Sequence, residues 1–311
     1  VRNYQMIVVG IDFSEASERS LALAASVADR FNARRLHIVH VVSMPTAAVL
    51  PALRPSSEAA QHALRQAEER LGALQVPDIG PTVTREVRVG NPAHQLAHVA
   101  DEKSADLVVV AGRGHGVLAE MFLGSVPSSL IRVARCPVLI HAGTEPVDHF
   151  RDILAAVDLS PISRNVLENA FGVATRYDAN VRVLSLFEHP FFESPPHGLL
   201  PKTMGAHEIE ALGEEHRRQL MELIARVPTN GAKVEVEVMS KAPAANVIID
   251  VAKMLDADLI VLGTSGQGAW HRMILGSTAN FVLSRASCPV LVVPHELRQE
   301  AMEQAGAPMP A

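Results

Sequence analysis

Glycine takes four of the eighteen places in VLGTSGQGAWHRMILGST, Val261 to Thr278. The run follows the apolar stretch Ala257-Asp258-Leu259-Ile260, so bare backbone begins where a buried strand should stop. Glycine permits positive φ and lets a ligand approach the main chain. The second cluster, Gly276-Ser277-Thr278, opens a helical pattern. A helix start has unpaired N–H groups and the positive end of the dipole, which together favour phosphate. Two glycine clusters arranged this way can hold a phosphate chain between them, with the Ser277 hydroxyl as one more donor. There is no Gly-Lys-Ser/Thr, and no GxGxxG follows the first strand, so neither familiar phosphate loop applies. Taken alone, a Gly-rich strand-to-helix turn is as readily a plain turn.

Other residues invite chemical readings that the pattern does not complete. Asp12 and Asp158, each in Asp-x-Ser text, could serve as general bases. Ser125 and Ser277 could be nucleophiles, yet each stands at a helix start with no histidine partner in the sequence. His94 and His98 lie four apart on a helical stretch and share a face. The text His-Gln-Leu-Ala-His is not a zinc-protease motif, so an exposed pair is expected rather than a metal site. His189, His197, His207 and His216 surround FEHPFFESPPHGLLPKTMG, a loop long for an ordinary connection. A lid over a bound ligand, a contact for the other half of the chain and a plain surface insertion all fit it.

The elements that must carry these residues occur twice. Met6-Ile7-Val8-Val9-Gly10-Ile11-Asp12-Phe13-Ser14 returns as Ile153-Leu154-Ala155-Ala156-Val157-Asp158-Leu159-Ser160, with the aspartates 146 positions apart (158 − 12). Ala105-Asp106-Leu107 returns as Ala257-Asp258-Leu259, Leu123-Gly124-Ser125 as Leu275-Gly276-Ser277, and Cys136-Pro137 as Cys288-Pro289. Within each copy a buried strand meets a serine able to cap a helix, and Pro161 after Ser160 suits a first helical position. Leu21, Ala24, Ala25 and Ala28 have helical spacing, and Val234, Val236 and Val238 alternate with charges as a half-buried strand does. Strands alternating with helices imply βαβ units and a parallel sheet. The expected fold is α/β: two tandem copies of a five-stranded, helix-covered, doubly wound domain, at 1–143 and 151–296, followed by a tail at 297–311.

Composition agrees. A chain of 311 residues suits two domains, and 48% hydrophobic with only 4% aromatic residues points to an aliphatic core of packed layers. The net charge of −6 argues against nucleic acid as a partner. No apolar run approaches a membrane span, and the N-terminal residues lack a signal-peptide layout. Two cysteines make no disulfide framework and read as small apolar residues opening buried strands. A cytoplasmic protein is the expectation.

With these residues together, the chain resembles the universal stress protein family in its tandem two-domain form, once per half over nearly its whole length. Gly263, Gly266, Gly276 and Ser277 satisfy the family's Gly-x2-Gly-x9-Gly-Ser/Thr nucleotide motif. Asp12 with Ser14, Asp158 with Ser160, and His40-Val41 also match. The resemblance implies an adenine-nucleotide ligand, ATP or a relative, with Mg as an optional companion. It would set Asp158 beside the adenine, Leu186 along the base pocket, and Leu262 and Gly263 past the ribose. Ser265, Gly266, Gly276, Ser277 and Thr278 would hold the phosphates. The matching first-half positions are Asp12, Val41, Val110, Gly114, Gly124, Ser125 and Val126. There Ala111 replaces the first motif glycine and Pro127 removes an N–H from the first helical turn, while Arg113 offers a compensating charge. In the second half Ser185 stands where the family has histidine, and Ala242 where the first half has Gly90. The second half is therefore expected to be the better site.

The resemblance also implies that Val138–Ile140 and Val290–Val293 are strands able to pair across a two-fold axis, here within one chain. Further association into a homodimer is left open. The leading functional expectation is a non-catalytic nucleotide binder of the stress response. A slow ATPase and a scaffold without nucleotide are the rivals.

Overall fold

The computed structural model describes residues 2–43, 57–77, 80–112, 123–143, 145–187, 206–240, 244–264 and 275–295. The first half contains β1 (Met6–Ile11), α1 (Glu15–Arg30), β2 (Arg35–Val42), α2 (Ser57–Ala73), β3 (Thr82–Val89), α3 (Pro92–Glu102), β4 (Leu107–Ala111), α4 (Ser125–Val133) and β5 (Val138–His141). The second contains β6 (Asp152–Val157), α5 (Ser163–Tyr177), β7 (Asn180–Phe187), α6 (Ala206–Ala225), β8 (Lys233–Ser240), α7 (Ala244–Met254), β9 (Leu259–Gly263), α8 (Ser277–Arg285) and β10 (Val290–Val293). Each half is the expected five-stranded parallel sheet with helices on both faces.

The ten strands form one sheet in the order β3-β2-β1-β4-β5-β10-β9-β6-β7-β8. The junction is the antiparallel pair β5·β10, with Leu139 opposite Leu291 and Ile140 opposite Val290. All four residues of β5 and all four of β10 are buried. The intrachain pairing expected of these strands is therefore present. Side chains alternate between the two faces of a strand, and the core divides accordingly. One apolar cluster packs β-strand residues against α1, α2, α5 and α6, and runs from Tyr4 and Phe31 through to Phe150, Phe171 and Tyr177. The other packs the opposite face against α3, α4, α7 and α8. Cys136 is buried, and burial pushes the partly covered Cys288 thiol up to about 12. Both cysteines are packing residues.

One helix start departs from expectation. Ser14 caps α1, its Oγ accepting from the Ser17 amide at 3.1 Å. Ser160 does not cap α5, which begins at Ser163 after an uncapped Ile162. Pro161 has no N–H to give. The chain instead makes a tight turn in which the Ser163 amide donates to the Ser160 carbonyl at 3.0 Å.

The segment leaving β5 crosses closely over the start of β10. A β-carbon on Gly143 would lie 2.5 Å from the carbonyl oxygen of Ser287, a backbone atom with little freedom to move. Gly143→Ala is expected to lower stability by about 1–3 kcal/mol, seen as an earlier urea midpoint with an unchanged denaturant slope.

Candidate functional site

In each half the strand order reverses direction beside the first strand. β1 is flanked by β2 on one side and β4 on the other, and β6 by β7 and β9. The helix after β1 packs on one face of the sheet and the helix after β4 on the other, which opens a crevice at the carboxyl ends of these strands. Asp12 and Asp158 follow β1 and β6 directly, and Val41 and Leu186 lie near the ends of β2 and β7. Val110 is near the end of β4, and Leu262 and Gly263 end β9. Gly124, Ser125 and Val126 start α4, as Gly276, Ser277 and Thr278 start α8. The sheet thus brings these residues to one rim in each half. Arg113, Gly114, Ser265 and Gly266 lie outside the described residues, as do Ala242, most of the 187–205 loop and the 297–311 tail.

The glycine segment is pinned at its neck. The Gly276 amide donates to the Thr264 carbonyl at 2.8 Å, and the Thr264 amide to the Val293 carbonyl at 2.9 Å. In the first half Gly124 donates to the Gly112 carbonyl and Gly112 to the His141 carbonyl, both at 2.9 Å. In each half the described residues on either side of the glycine segment therefore meet at one point, and a helix begins there. α4 and α8 both start on a glycine with no side-chain cap, whereas α1 is capped by Ser14 and α3 by Asn91. Among the described residues, the first-turn amides of α8, on Ser277, Thr278 and Ala279, thus have neither an intrahelical acceptor nor a cap. In α4 the third such position is Pro127, which leaves only Ser125 and Val126.

The aspartates are held by their own loops. Asp158 accepts from the Ser160 amide at 3.1 Å, the Ser160 hydroxyl and the Ser163 hydroxyl at 3.2 Å. Asp12 accepts from the Ser14 amide at 3.0 Å and the Ser14 hydroxyl. The residue between aspartate and serine is left-handed in both copies, Phe13 at φ 62° and Leu159 at φ 61°. Bulky residues rarely adopt that conformation. The text Asp-x-Ser does not announce it, because x is not glycine or asparagine in either half.

Two features revise what the sequence suggested. A β-carbon at Gly263 would meet the Ile162 side chain at 3.0 Å. A β-carbon at that position would therefore face the start of α5. The second concerns Ser185. His40 Nδ1 donates to the Ile11 carbonyl at 2.7 Å and its ring stacks on Phe13, centroids 4.4 Å apart, with the Arg70 guanidinium 4.1 Å beyond. In the second half Ser185 Oγ donates to the matching Val157 carbonyl at 2.9 Å and accepts from His216 Nε2 at 2.8 Å. An imidazole from α6 thus supports the position that lacks one on the strand. Elsewhere, His94 and His98 are exposed on α3, and His98 pairs with Glu102 at 3.1 Å.

A family model described as the universal stress protein family matches residues 3–141 and 149–294. The chain belongs to the universal stress protein family. It is 31% identical over 295 residues to a universal stress protein of Mycolicibacterium smegmatis, covering 92% of this chain and 96% of that one. It is 30% identical over 306 residues to one from Mycobacterium tuberculosis H37Rv, covering 94% and 97%. Among solved structures, a universal stress protein from Archaeoglobus fulgidus superposes with a TM-score of 0.66 at 20% identity over 93% of this chain and 96% of that one, which bears on the fold. As in these universal stress proteins, the repeat here is two family domains in one chain. No described helix is long and apolar enough to cross a membrane.

Burial holds the imidazoles of His37, His141 and His216 below the usual histidine value of 6.5; at His216 the Asp158 carboxylate pulls the other way and is outweighed. Between the folded and unfolded values the unfolded chain binds more protons, so this stability is present above 6.5 and lost as pH falls through the folded values. Urea midpoints should fall from about pH 7.5 to about pH 5. His216→Gln keeps a donor for Ser185 and should flatten part of that slope.

Proposed function

We propose that this universal stress protein binds an adenine nucleotide at the rim of each half, without catalysing a reaction on it, and that the bound state tunes its contacts in the stress response. The observation that carries the reading is the contrast among helix starts. α1 and α3 begin on Ser14 and Asn91, whose side chains serve their first amides, while α4 and α8 begin on bare glycine at the switch point of the sheet; α5 also lacks a side-chain cap, but it begins on Ile162 after a turn closed by the Ser163 amide on the Ser160 carbonyl. Unserved amides at a dipole's positive end suit a phosphate chain. The Gly-x2-Gly-x9-Gly-Ser text, which lies partly outside the described residues, resembles the family's nucleotide motif and supports the same ligand. Asp158 and Asp12, anchored by serines, would accept from the amino or hydroxyl groups of the nucleoside. Three first-turn amides at α8 against two at α4, none with an acceptor among the described residues, favour the second half as the tighter site. A Mg ion, where present, would supply countercharge to the phosphates.

Calorimetry and melting with ATP, ADP, AMP and GTP test the reading. A selective ligand at ~100 times its Kd should raise stability by about 2.7 kcal/mol. Gly276→Asp is the informative variant. Aspartate is a strong N-cap and would occupy the amides of α8 itself, so the protein should fold as well as before while second-half affinity drops about tenfold or more. Gly124→Asp should remove only the weaker first-half event. An absence of any adenine-nucleotide shift would leave a scaffold, and phosphate release above buffer that Ser277→Ala with Gly276→Asp abolishes would make it an ATPase.

A further inference from the structure

The halves meet along the β5·β10 seam and, on one face of the sheet, along α1 and α5. Much of that contact obeys the repeat. Tyr4 packs on Phe31 with ring centroids 4.6 Å apart, and the related Phe150 on Tyr177 at 4.8 Å. Arg176 covers the Phe31 ring and Arg30 the Tyr177 ring, each at 5.6 Å across the halves. At the centre lies a cavity of about 10 Å³ lined by related pairs, including Leu139 with Leu291 and Val27 with Val173.

The polar groups break this symmetry. The Tyr4 hydroxyl donates to Asn169 Oδ1 at 2.7 Å, and the Asn169 amide donates to the Asn165 carbonyl at 2.7 Å; both side chains are buried. The positions related to Tyr4 and Asn169 are Phe150 and Leu23, 146 places away, and neither can form that bond. A second asymmetry points the same way. The Tyr177 hydroxyl lies 3.5 Å from Ser26 Oγ, while the related positions are Phe31 and Gly172. Burial pushes the Tyr177 phenol up to about 12 and raises that of Tyr4 as well, so both remain hydroxyl donors.

We infer that the Tyr4–Asn169 hydrogen bond is a partner code: it admits a first half against a second half and rejects either half against its own kind. Pairing of two first halves through the same surface would set the Tyr4 hydroxyl against Leu23. Pairing of two second halves would set the Asn169 amide against Phe150. Each leaves a buried polar group without a partner, which is costly. A single buried asparagine selects register and partner in coiled coils by the same physics. The residues that pair across the seam cannot make this choice, because Val138-Leu139-Ile140 and Val290-Leu291-Val292 are nearly equivalent apolar triplets. Selection therefore sits on the helix face, and the chain's own other half is the partner it fits.

The test uses the full chain. The double variant Tyr4→Phe with Asn169→Leu removes the buried polar pair from all three pairings and leaves only the part-buried Tyr177–Ser26 contact to tell them apart. It should melt close to the unaltered protein. After unfolding and refolding over a range of concentrations, it should give at least about tenfold more multimer by light scattering on a sizing column. Each single variant strands one buried polar group and should melt below the double. A double variant that refolds to the same mass distribution as the unaltered protein at every concentration overturns the inference. So do single variants that melt at or above the double.

Discussion

The pairing of β5 with β10 is the constraint on which the rest of the architecture depends. Both strands are four residues long and wholly buried, so each would carry unpaired N–H and C=O groups in an apolar setting if left as an edge. The outer strands show the opposite character. β3 presents Arg88, which pairs with Glu86 and Glu102, and β8 presents Glu235 and Glu237, which pair with Arg182. Charge discourages an edge from recruiting another strand. The distribution of charge across the sheet thus separates the edges meant to be joined from those meant to stay open.

Antiparallel pairing at the seam has a consequence for the two rims. β4 is parallel to β5 and β9 to β10, while β5 opposes β10. The carboxyl ends of β1 and β4 therefore point away from those of β6 and β9. The two candidate sites lie at opposite ends of one sheet, and neither can share a ligand with the other. What joins them is the α1 and α5 face, since each of these helices begins at one rim's Asp-x-Ser loop and packs at the shared centre.

The fold could be read from the sequence because its signals are local and repeated. Val8-Val9 and Leu154-Ala155 mark buried strands, helical spacing marks α1, and the doubled text fixes the two halves against each other. The rim positions followed from the family resemblance that the glycines and Asp-x-Ser carry. Other features needed the third dimension. Ser14 and Ser160 look alike in sequence, yet only Ser14 caps its helix, because Pro161 changes the turn. Gly263 looks like a ligand-facing gap, yet its open side is filled by Ile162 from a distant turn. Tyr4 and Asn169 are 165 positions apart, and no periodicity connects them.

The support beneath each rim shows which level of the structure carries the constraint. The carbonyls of Ile11 and Val157 end the first strand of each half, immediately before a chain reversal that includes a left-handed residue. Each carbonyl accepts a side-chain hydrogen bond from the neighbouring strand, from His40 in one half and from Ser185 in the other. Serine is too short to fill the space of an imidazole, and His216 from α6 occupies that role while donating to Ser185. Buried carbonyls in native proteins are satisfied, but that demand names a partner atom at a place in space rather than a residue at a place in the chain. The repeat can therefore diverge in sequence where a histidine was expected and still keep the strand end, the aspartate loop and the rim in the same arrangement.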